Sequence, residues 1–136
     1  MAERAGAFTI GDTRVRPGSR ADIQLPLARL PSGTREYMPV TVLHGRRPGP
    51  VVWVSAAIHG DEINGIEIIR RLLQEVASST MRGTLIAVPV VNIFGFINQS
   101  RSLPDRRDLN RSFPGSEGGS LAARLAHLFL TEIVAH

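Results

Sequence analysis

The chain has 136 residues, of which 43% are hydrophobic, and this size and composition fit a single globular domain. Its formal net charge is +4 and all sixteen basic residues are arginine, but they are scattered among acidic residues and only 5% of the chain is aromatic, so no nucleic-acid partner is expected. The absence of cysteine excludes disulfides and thiolate metal ligands.

The N-terminal part of the chain is predicted to consist of short strands. Residues 1–7 are predicted to be a disordered end, and nothing in them marks the chain for secretion, so a cytoplasmic location is expected. No apolar run reaches the roughly 20 residues that span a bilayer, so no membrane partner is expected. Strands are predicted over residues 8–15, 23–28 and 35–44, and Pro26 predicts an edge position or a bulge for the second of them.

The middle of the chain predicts a βαβ unit. Residues 51–57 form an apolar run broken only by Ser55, which predicts a central strand buried on both faces of a parallel sheet. Gly60 ends the run, and isoleucine and leucine then recur at helical spacing, which predicts a helix over residues 62–77. A second apolar run at residues 84–91 predicts another parallel strand. This order predicts an α/β fold.

His59 and Glu62 lie where the first of these strands ends and the helix begins, the edge at which open α/β sheets bind ligands. Residues three apart in a first helical turn lie on nearly the same face, so an imidazole nitrogen and a carboxylate oxygen can converge on one metal ion, and zinc accepts both. The alternative is structural, because acidic residues at a helix start also interact with the helix dipole and its free N–H groups.

The other three histidines are not predicted to be metal ligands. His44 precedes a glycine at a strand end and is predicted to be a surface or loop histidine. His127 points away from the apolar stripe of the last predicted helix and is predicted to be solvated, and His136 is the last residue.

Residues 92–115 form a long segment with little periodicity. Loops of this length inside a compact domain are usually functional or disordered, and the phenylalanine, leucine and isoleucine residues of this one predict an ordered loop. Because it follows directly on a strand, it is expected to lie at the same sheet edge as His59. The last segment, residues 116–136, predicts an amphipathic helix with Ser116 as a candidate N-cap.

Two motifs in this order resemble the succinylglutamate desuccinylase/aspartoacylase family of zinc-carboxypeptidase-like hydrolases. The first is His-Gly-Asp-Glu at residues 59–62. The second is Arg101 followed by Asp-Leu-Asn-Arg-x-Phe-Pro-Gly at residues 108–115. Each motif alone is weak, but the two together, in the order strand, HGxE, helix, strand, arginine loop and helix, are a strong signal. The resemblance covers the chain from about Val40 to its end.

The resemblance implies a role for five residues. His59 and Glu62 would be two of three zinc ligands. Arg101 would polarise the scissile carbonyl and stabilise the oxyanion, and a cation facing a developing negative charge is preorganised for that task. Asn110 and Arg111 would bind the carboxylate of the substrate's amino-acid part, since a guanidinium matches a carboxylate bidentately.

The structural alternative for the arginines of this loop is a solvated surface with salt bridges to Asp105 and Asp108. Arg106 and Arg107 are expected to be of that kind.

The resemblance also implies what the chain lacks. In the family, a histidine on a later strand is the third zinc ligand, and a later glutamate is the general base. The chain ends at His136, so residues 1–136 are expected to be a single, incomplete catalytic domain, a partial α/β/α sheet with a βαβ core, truncated before the remaining strands. Such a fragment is expected to be inactive alone, to bind zinc weakly, and to expose sheet surface that favours self-association.

The implied function is metal-dependent hydrolysis of the amide bond of a small N-acyl amino acid by zinc-activated water. One alternative is a zinc carboxypeptidase that acts on peptides, and another is a non-catalytic binding or assembly module of the same fold. The sequence does not identify the acyl group or the amino acid.

Overall fold

The computed structural model describes residues 3–136 and contains, within that range, two sheets and three α-helices. The elements in chain order are β1 (Phe8–Ile10), β2 (Thr13–Val15), β3 (Ser19–Arg29), β4 (Arg35–His44), β5 (Arg47–Ser55), α1 (Asn64–Glu75), β6 (Arg82–Val88), α2 (Ile93–Ile97) and α3 (Leu121–Phe129). A 3₁₀ turn spans Leu109–Arg111, and a π-helical turn, Leu130–Val134, continues α3. In the described part of the chain, no helix is long and apolar enough to cross a membrane.

The main sheet has four strands in the order β3-β4-β6-β5. β4 pairs antiparallel with both β3 and β6, whereas β5 and β6 are parallel, so β5, α1 and β6 form the expected βαβ unit. β3 lies at the sheet edge and has an irregularity between Pro26 and Ala28, as Pro26 predicts. The single strand predicted over residues 8–15 is wrong, because Gly11, with φ of +52°, turns the chain and makes β1 and β2 a hairpin.

The prediction that residues 51–57 form a buried central strand is also wrong. β5 pairs with β6 on one side and, within residues 3–136, with no strand on the other. Val52 is therefore 51% and Trp53 40% exposed, while β6, one position inward, is buried almost throughout. Apolar residues on both faces of a strand indicate that the strand is suited to burial. They do not identify the neighbouring elements that bury it. Self-association through this edge stays a prediction, which the sedimentation coefficient of the chain tests.

The core lies between the sheet and α3. Leu125, Phe129 and Ile133 are buried there against strands β3, β4 and β6. Trp53 of β5 packs edge-on against Phe129, with ring centroids 5.6 Å apart. The buried residue of α1 is Ile69, which does not belong to the core cluster between the sheet and α3. Helix α1 therefore covers the opposite face of the sheet.

The last helix begins later than predicted. Ser120, not Ser116, is its N-cap, and the Ser120 hydroxyl accepts a hydrogen bond from the Ala123 backbone N–H at 3.2 Å. Leu125, Phe129 and Ile133 of the predicted apolar stripe are buried, whereas Leu121 and Leu128 are half-buried.

His44 is buried, contrary to the prediction of a surface or loop histidine. Its Nε2 lies 2.7 Å from the Gly6 carbonyl oxygen, which can only accept, so Nε2 carries the proton and Nδ1 accepts from the Thr84 hydroxyl at 2.8 Å. The backbone N–H of Ala5 donates to the carbonyl of Arg46. The predicted disordered end therefore contacts the domain in its described part, and Met1 and Ala2 lie outside the described residues.

Two neighbouring isoleucines of α1 test how this helix packs. Ile69→Ala is expected to lower the free energy of unfolding by about 2–5 kcal/mol, because Ile69 is buried. Ile68→Ala, at a 66% exposed position, is expected to change it by less than about 0.5 kcal/mol. Urea denaturation of both variants measures the difference, and equal losses would contradict this packing of α1.

Candidate active site

The predicted metal pair lies on a turn, not on the first turn of a helix. β5 ends at Ser55, and α1 begins only at Asn64. Ala57 turns the chain with φ of +54°, and the backbone N–H of Glu62 then donates to the carbonyl of His59 at 3.1 Å. This i to i+3 hydrogen bond closes a turn whose first and last side chains lie side by side.

The turn is fixed by backbone packing against α2. A Cβ added at Gly60 would overlap the backbone of Gly95 and Phe96, so the two segments are in direct backbone contact. The backbone N–H of Asn92 also donates to the carbonyl of Ala57 at 2.9 Å, which joins the end of β6 to the end of β5. These contacts place the loop that follows β6 beside the metal pair, as the sequence predicts.

His59 lies between two carboxylates and is 7% exposed. Its Nδ1 is 3.0 Å from Oε1 of Glu62, and its Nε2 is 2.9 Å from Oδ1 of Asp108. The hydrogen bond from His59 lowers the pKa of the Asp108 carboxyl below its ordinary value. Desolvation opposes this shift, and the Asn110 backbone N–H and the Arg101 charge reinforce it. When Nε2 carries its proton and donates it to Asp108, Nδ1 is left directed at Glu62.

This arrangement fits a zinc ion held by two ligands. A lone pair on Nδ1 and a carboxylate oxygen at 3.0 Å repel each other unless a cation, either a proton or a metal ion, lies between them. Tetrahedral zinc with ligands at about 2.1 Å separates two ligand atoms by about 3.4 Å, so a small widening would admit the ion. Asp108 is bonded to the opposite ring nitrogen and cannot join the same ion. Accordingly, residues 3–136 contain no group of three or more His, Cys, Asp or Glu side chains that could hold a metal.

Arg101 lies beside the same carboxylates. Its Nη1 is 3.5 Å from Oε1 of Glu62, and its Nη2 is 3.4 Å from Oδ2 of Asp108. The side chain is 53% exposed, and long, exposed ion pairs contribute little to stability. The guanidinium can therefore leave these carboxylates for a substrate oxygen at small cost.

A cleft of about 390 Å³ opens beside Glu62, between the end of β5 and the start of α1.

The two predicted substrate-binding residues lie on the 3₁₀ turn that follows Asp108. Oδ1 of Asp108 accepts the backbone N–H of Asn110 at 2.9 Å and so caps this turn, while Leu109 anchors it in the core. The side chains of Asn110 and Arg111 are exposed. The structure thus brings His59, Glu62 and Arg101 into contact and leaves Asn110 and Arg111 facing solvent on the adjacent turn.

Asp108 is the residue of the site that the sequence analysis missed. It was considered only as a salt-bridge partner for loop arginines, yet it contacts His59 and Arg101. Its place immediately before Leu-Asn-Arg could have indicated a cap, since Asp is favoured where a side chain must accept a free N–H of a helical turn. The expected solvated ion pair is present at Arg107, whose Nε is 3.8 Å from Oδ2 of Asp105.

The chain is similar to known proteins in sequence and in fold. Among curated proteins, N-alpha-acetyl-L-2,4-diaminobutyric acid deacetylase from Halomonas elongata is 33% identical over 114 residues, which are 82% of this chain and 33% of that protein. The chain therefore spans about a third of the length of the curated relative that it matches.

Two solved structures give the same picture. The product-bound ectoine utilization protein EutE from Ruegeria pomeroyi is 30% identical, with a TM-score of 0.77, over 88% of this chain and 37% of that one. A succinylglutamate desuccinylase/aspartoacylase from Rhodobacter sphaeroides is 34% identical, with a TM-score of 0.75, over the same shares. The fold is thus that of the zinc-carboxypeptidase-like hydrolases.

A family model described as the succinylglutamate desuccinylase/aspartoacylase catalytic domain matches residues 48–136, and the chain belongs to this family. The resemblance found in the sequence is confirmed.

Replacing Gly60 tests the packing that holds the turn. Gly60→Ala is expected to lower the free energy of unfolding by at least about 1–3 kcal/mol, because the new Cβ would overlap backbone atoms of α2. In the matched control Gly118→Ala, nothing lies within 4 Å of the new Cβ. Urea denaturation should show the control unchanged or slightly stabilised, and a Gly60 variant as stable as this control would contradict the proposed contact.

Proposed function

We propose that this chain supplies the metal-binding turn and the arginine loop of a zinc-dependent hydrolase that cleaves the amide bond of N-acyl amino acids. The observation that carries the proposal is the geometry around His59, whose Nδ1 is directed at Glu62 while its Nε2 is hydrogen-bonded to Asp108. A histidine oriented through its other nitrogen is the usual form of a metal-ligating imidazole. Membership of a family of hydrolases supports the same conclusion.

Zinc held by His59 and Glu62 would supply Lewis-acid polarisation of the acyl carbonyl and activation of water. The residues of this chain would orient the metal ligand and stabilise the charge that develops on the substrate. Asp108 keeps the His59 ring in one tautomer, with Nδ1 free for the metal. Arg101, which the structure places next to Glu62, would turn toward the acyl oxygen and stabilise the negative charge that develops there.

The substrate is proposed to be a small molecule with a carboxylate. Arg111 offers a planar, permanently charged fork for it, and Asn110 adds a neutral donor beside that fork. Both side chains are exposed on a turn whose cap, Asp108, also contacts His59. The similar protein from Halomonas elongata is named as a deacetylase of an N-acetylated amino acid, and we extend that substrate class to this chain.

Metal binding by the chain is the first test. With only two protein ligands, the chain is expected to bind zinc weakly. In a calorimetric titration, the double variant His59→Ala, Glu62→Ala is expected to show no zinc binding. His127→Ala is the matched control, because His127 also lies near a carboxylate, with Nε2 3.6 Å from Oε1 of Glu117. Loss of binding in this control, with binding retained in the double variant, would contradict the assignment.

Kinetic measurements test the two arginines. They use the full-length protein, the longer hydrolase of which we propose that this chain is a part. Arg101→Gln is expected to lower kcat for N-acetyl amino acids about 10²–10³-fold, as for loss of an oxyanion donor. Arg111→Gln is expected mainly to raise KM, by about 10–100-fold, because it removes a charged hydrogen bond to the substrate. The control Arg107→Gln alters an arginine paired with Asp105 and should change neither.

Three outcomes would contradict these roles: equal effects of the two variants on kcat, a strong preference for peptides over N-acyl amino acids, or zinc-dependent hydrolysis by the 136 residues alone. The last would show that two protein ligands suffice, whereas we propose that this chain is inactive by itself.

A further inference from the structure

Asn92 is a fully buried polar residue between β6 and α2, and each of its hydrogen-bonding groups has a partner. Its backbone N–H donates to Ala57, and its backbone carbonyl accepts from Phe96. In the side chain, Oδ1 accepts the backbone N–H of Gly95 at 2.9 Å, and Nδ2 donates to the backbone carbonyl of Arg101 at 3.4 Å. A buried amide costs free energy unless it is paired in this way.

These partners belong to both halves of the candidate site. Ala57 precedes the metal ligand His59 by two residues, and Arg101 is the proposed oxyanion residue. Asn92 is therefore hydrogen-bonded to the segment that carries the metal pair and to the segment that carries the arginine. Its side-chain amide also packs directly on Gly95, whose backbone contacts Gly60 of the metal turn.

A simpler role for Asn92 is that of a helix cap. The bond from Oδ1 to the Gly95 N–H caps α2 and needs only a side-chain oxygen, which serine or aspartate could equally supply. A cap does not require the bond from Nδ2 to Arg101, because a donor has no function at a helix N-terminus. The second bond distinguishes asparagine from these other caps, because only the amide offers a donor to the Arg101 carbonyl.

The Ser100 backbone N–H donates to the Gly95 carbonyl at 2.8 Å, and the bond from Asn92 is the side-chain anchor of the Arg101 backbone itself. The guanidinium contacts of Arg101 with Glu62 and Asp108 are exposed to solvent, so they constrain the loop weakly. A catalytic group displaced by about 1 Å loses about 100-fold in rate. We propose that Asn92 is the positioning residue that fixes the Arg101 backbone relative to the metal turn. Its effect on catalysis rests on the proposed function, whereas its effect on the loop does not.

Asn92→Ser separates the two bonds. The serine hydroxyl can still cap α2, but it is too short to reach the Arg101 carbonyl and adds no buried charge. Asn92→Asp is a second variant that keeps the volume and the cap but sets an oxygen against that carbonyl. The matched control is Asn98→Ser, at an exposed asparagine at the end of the same helix.

Two measurements on the full-length protein test the inference. Amide hydrogen exchange across residues 100–111 is expected to become about 10-fold faster in Asn92→Ser than in Asn98→Ser, the effect of losing one hydrogen bond. Zinc affinity should stay within about threefold of the wild type, and kcat should fall by about 10-fold or more with KM changed less.

The outcomes separate this inference from the proposed function. Exchange and kcat that match the control in both Asn92 variants would overturn the positioning role, and so would a loss of zinc affinity and global stability together, which would show a purely structural residue. A faster-exchanging loop in a protein whose wild type hydrolyses no N-acyl amino acid would support the positioning of the loop and overturn the proposed function.

Discussion

His59 contacts a carboxylate at each of its ring nitrogens, and the contact with Asp108 joins segments of the chain that are 49 residues apart. When Nε2 donates its proton to Asp108, Nδ1 faces Glu62, and either a proton or a metal ion is then required between those two atoms. The same Asp108 caps the turn that carries Asn110 and Arg111, so one carboxylate contacts the proposed metal ligand and holds the turn of the proposed substrate residues. The contact is possible because the backbone around Gly60 lies directly against α2.

The family and the proximity of His59, Glu62 and Arg101 could be predicted from the sequence, but the local geometry of the site could not. The residue types and the order of the two motifs indicated the metal pair, the arginine and the family, and the chain belongs to that family. The local structure of the pair was predicted wrongly, since a β-turn rather than a helix brings His59 and Glu62 together. Asp108 was missed because its partner is distant in sequence. The metal-ligand roles of His59 and Glu62 stay predictions, as do the roles of Arg101, Asn110 and Arg111, although Arg101 lies beside Glu62.

The fold was predictable to the extent that it follows from local patterns. Apolar runs and helical spacing predicted the βαβ unit, and Pro26 predicted an irregular edge strand. The hairpin at Gly11 was missed because its strands have only three residues each, too few for a periodic signal. The edge position of β5 and the burial of His44 depend on neighbours that strand patterns do not identify. Val52 and Trp53 therefore remain exposed in the described chain although their pattern is that of buried residues.

The central claim is that His59 binds metal through Nδ1 while Nε2 holds its proton for Asp108. Nitrogen-15 NMR of the imidazole side chains, recorded with and without zinc, measures this directly. The account predicts that zinc changes the Nδ1 signal of His59, leaves Nε2 protonated, and leaves the signals of His127 unchanged. A metal-dependent change at Nε2 of His59, or one confined to the other histidines, would contradict it.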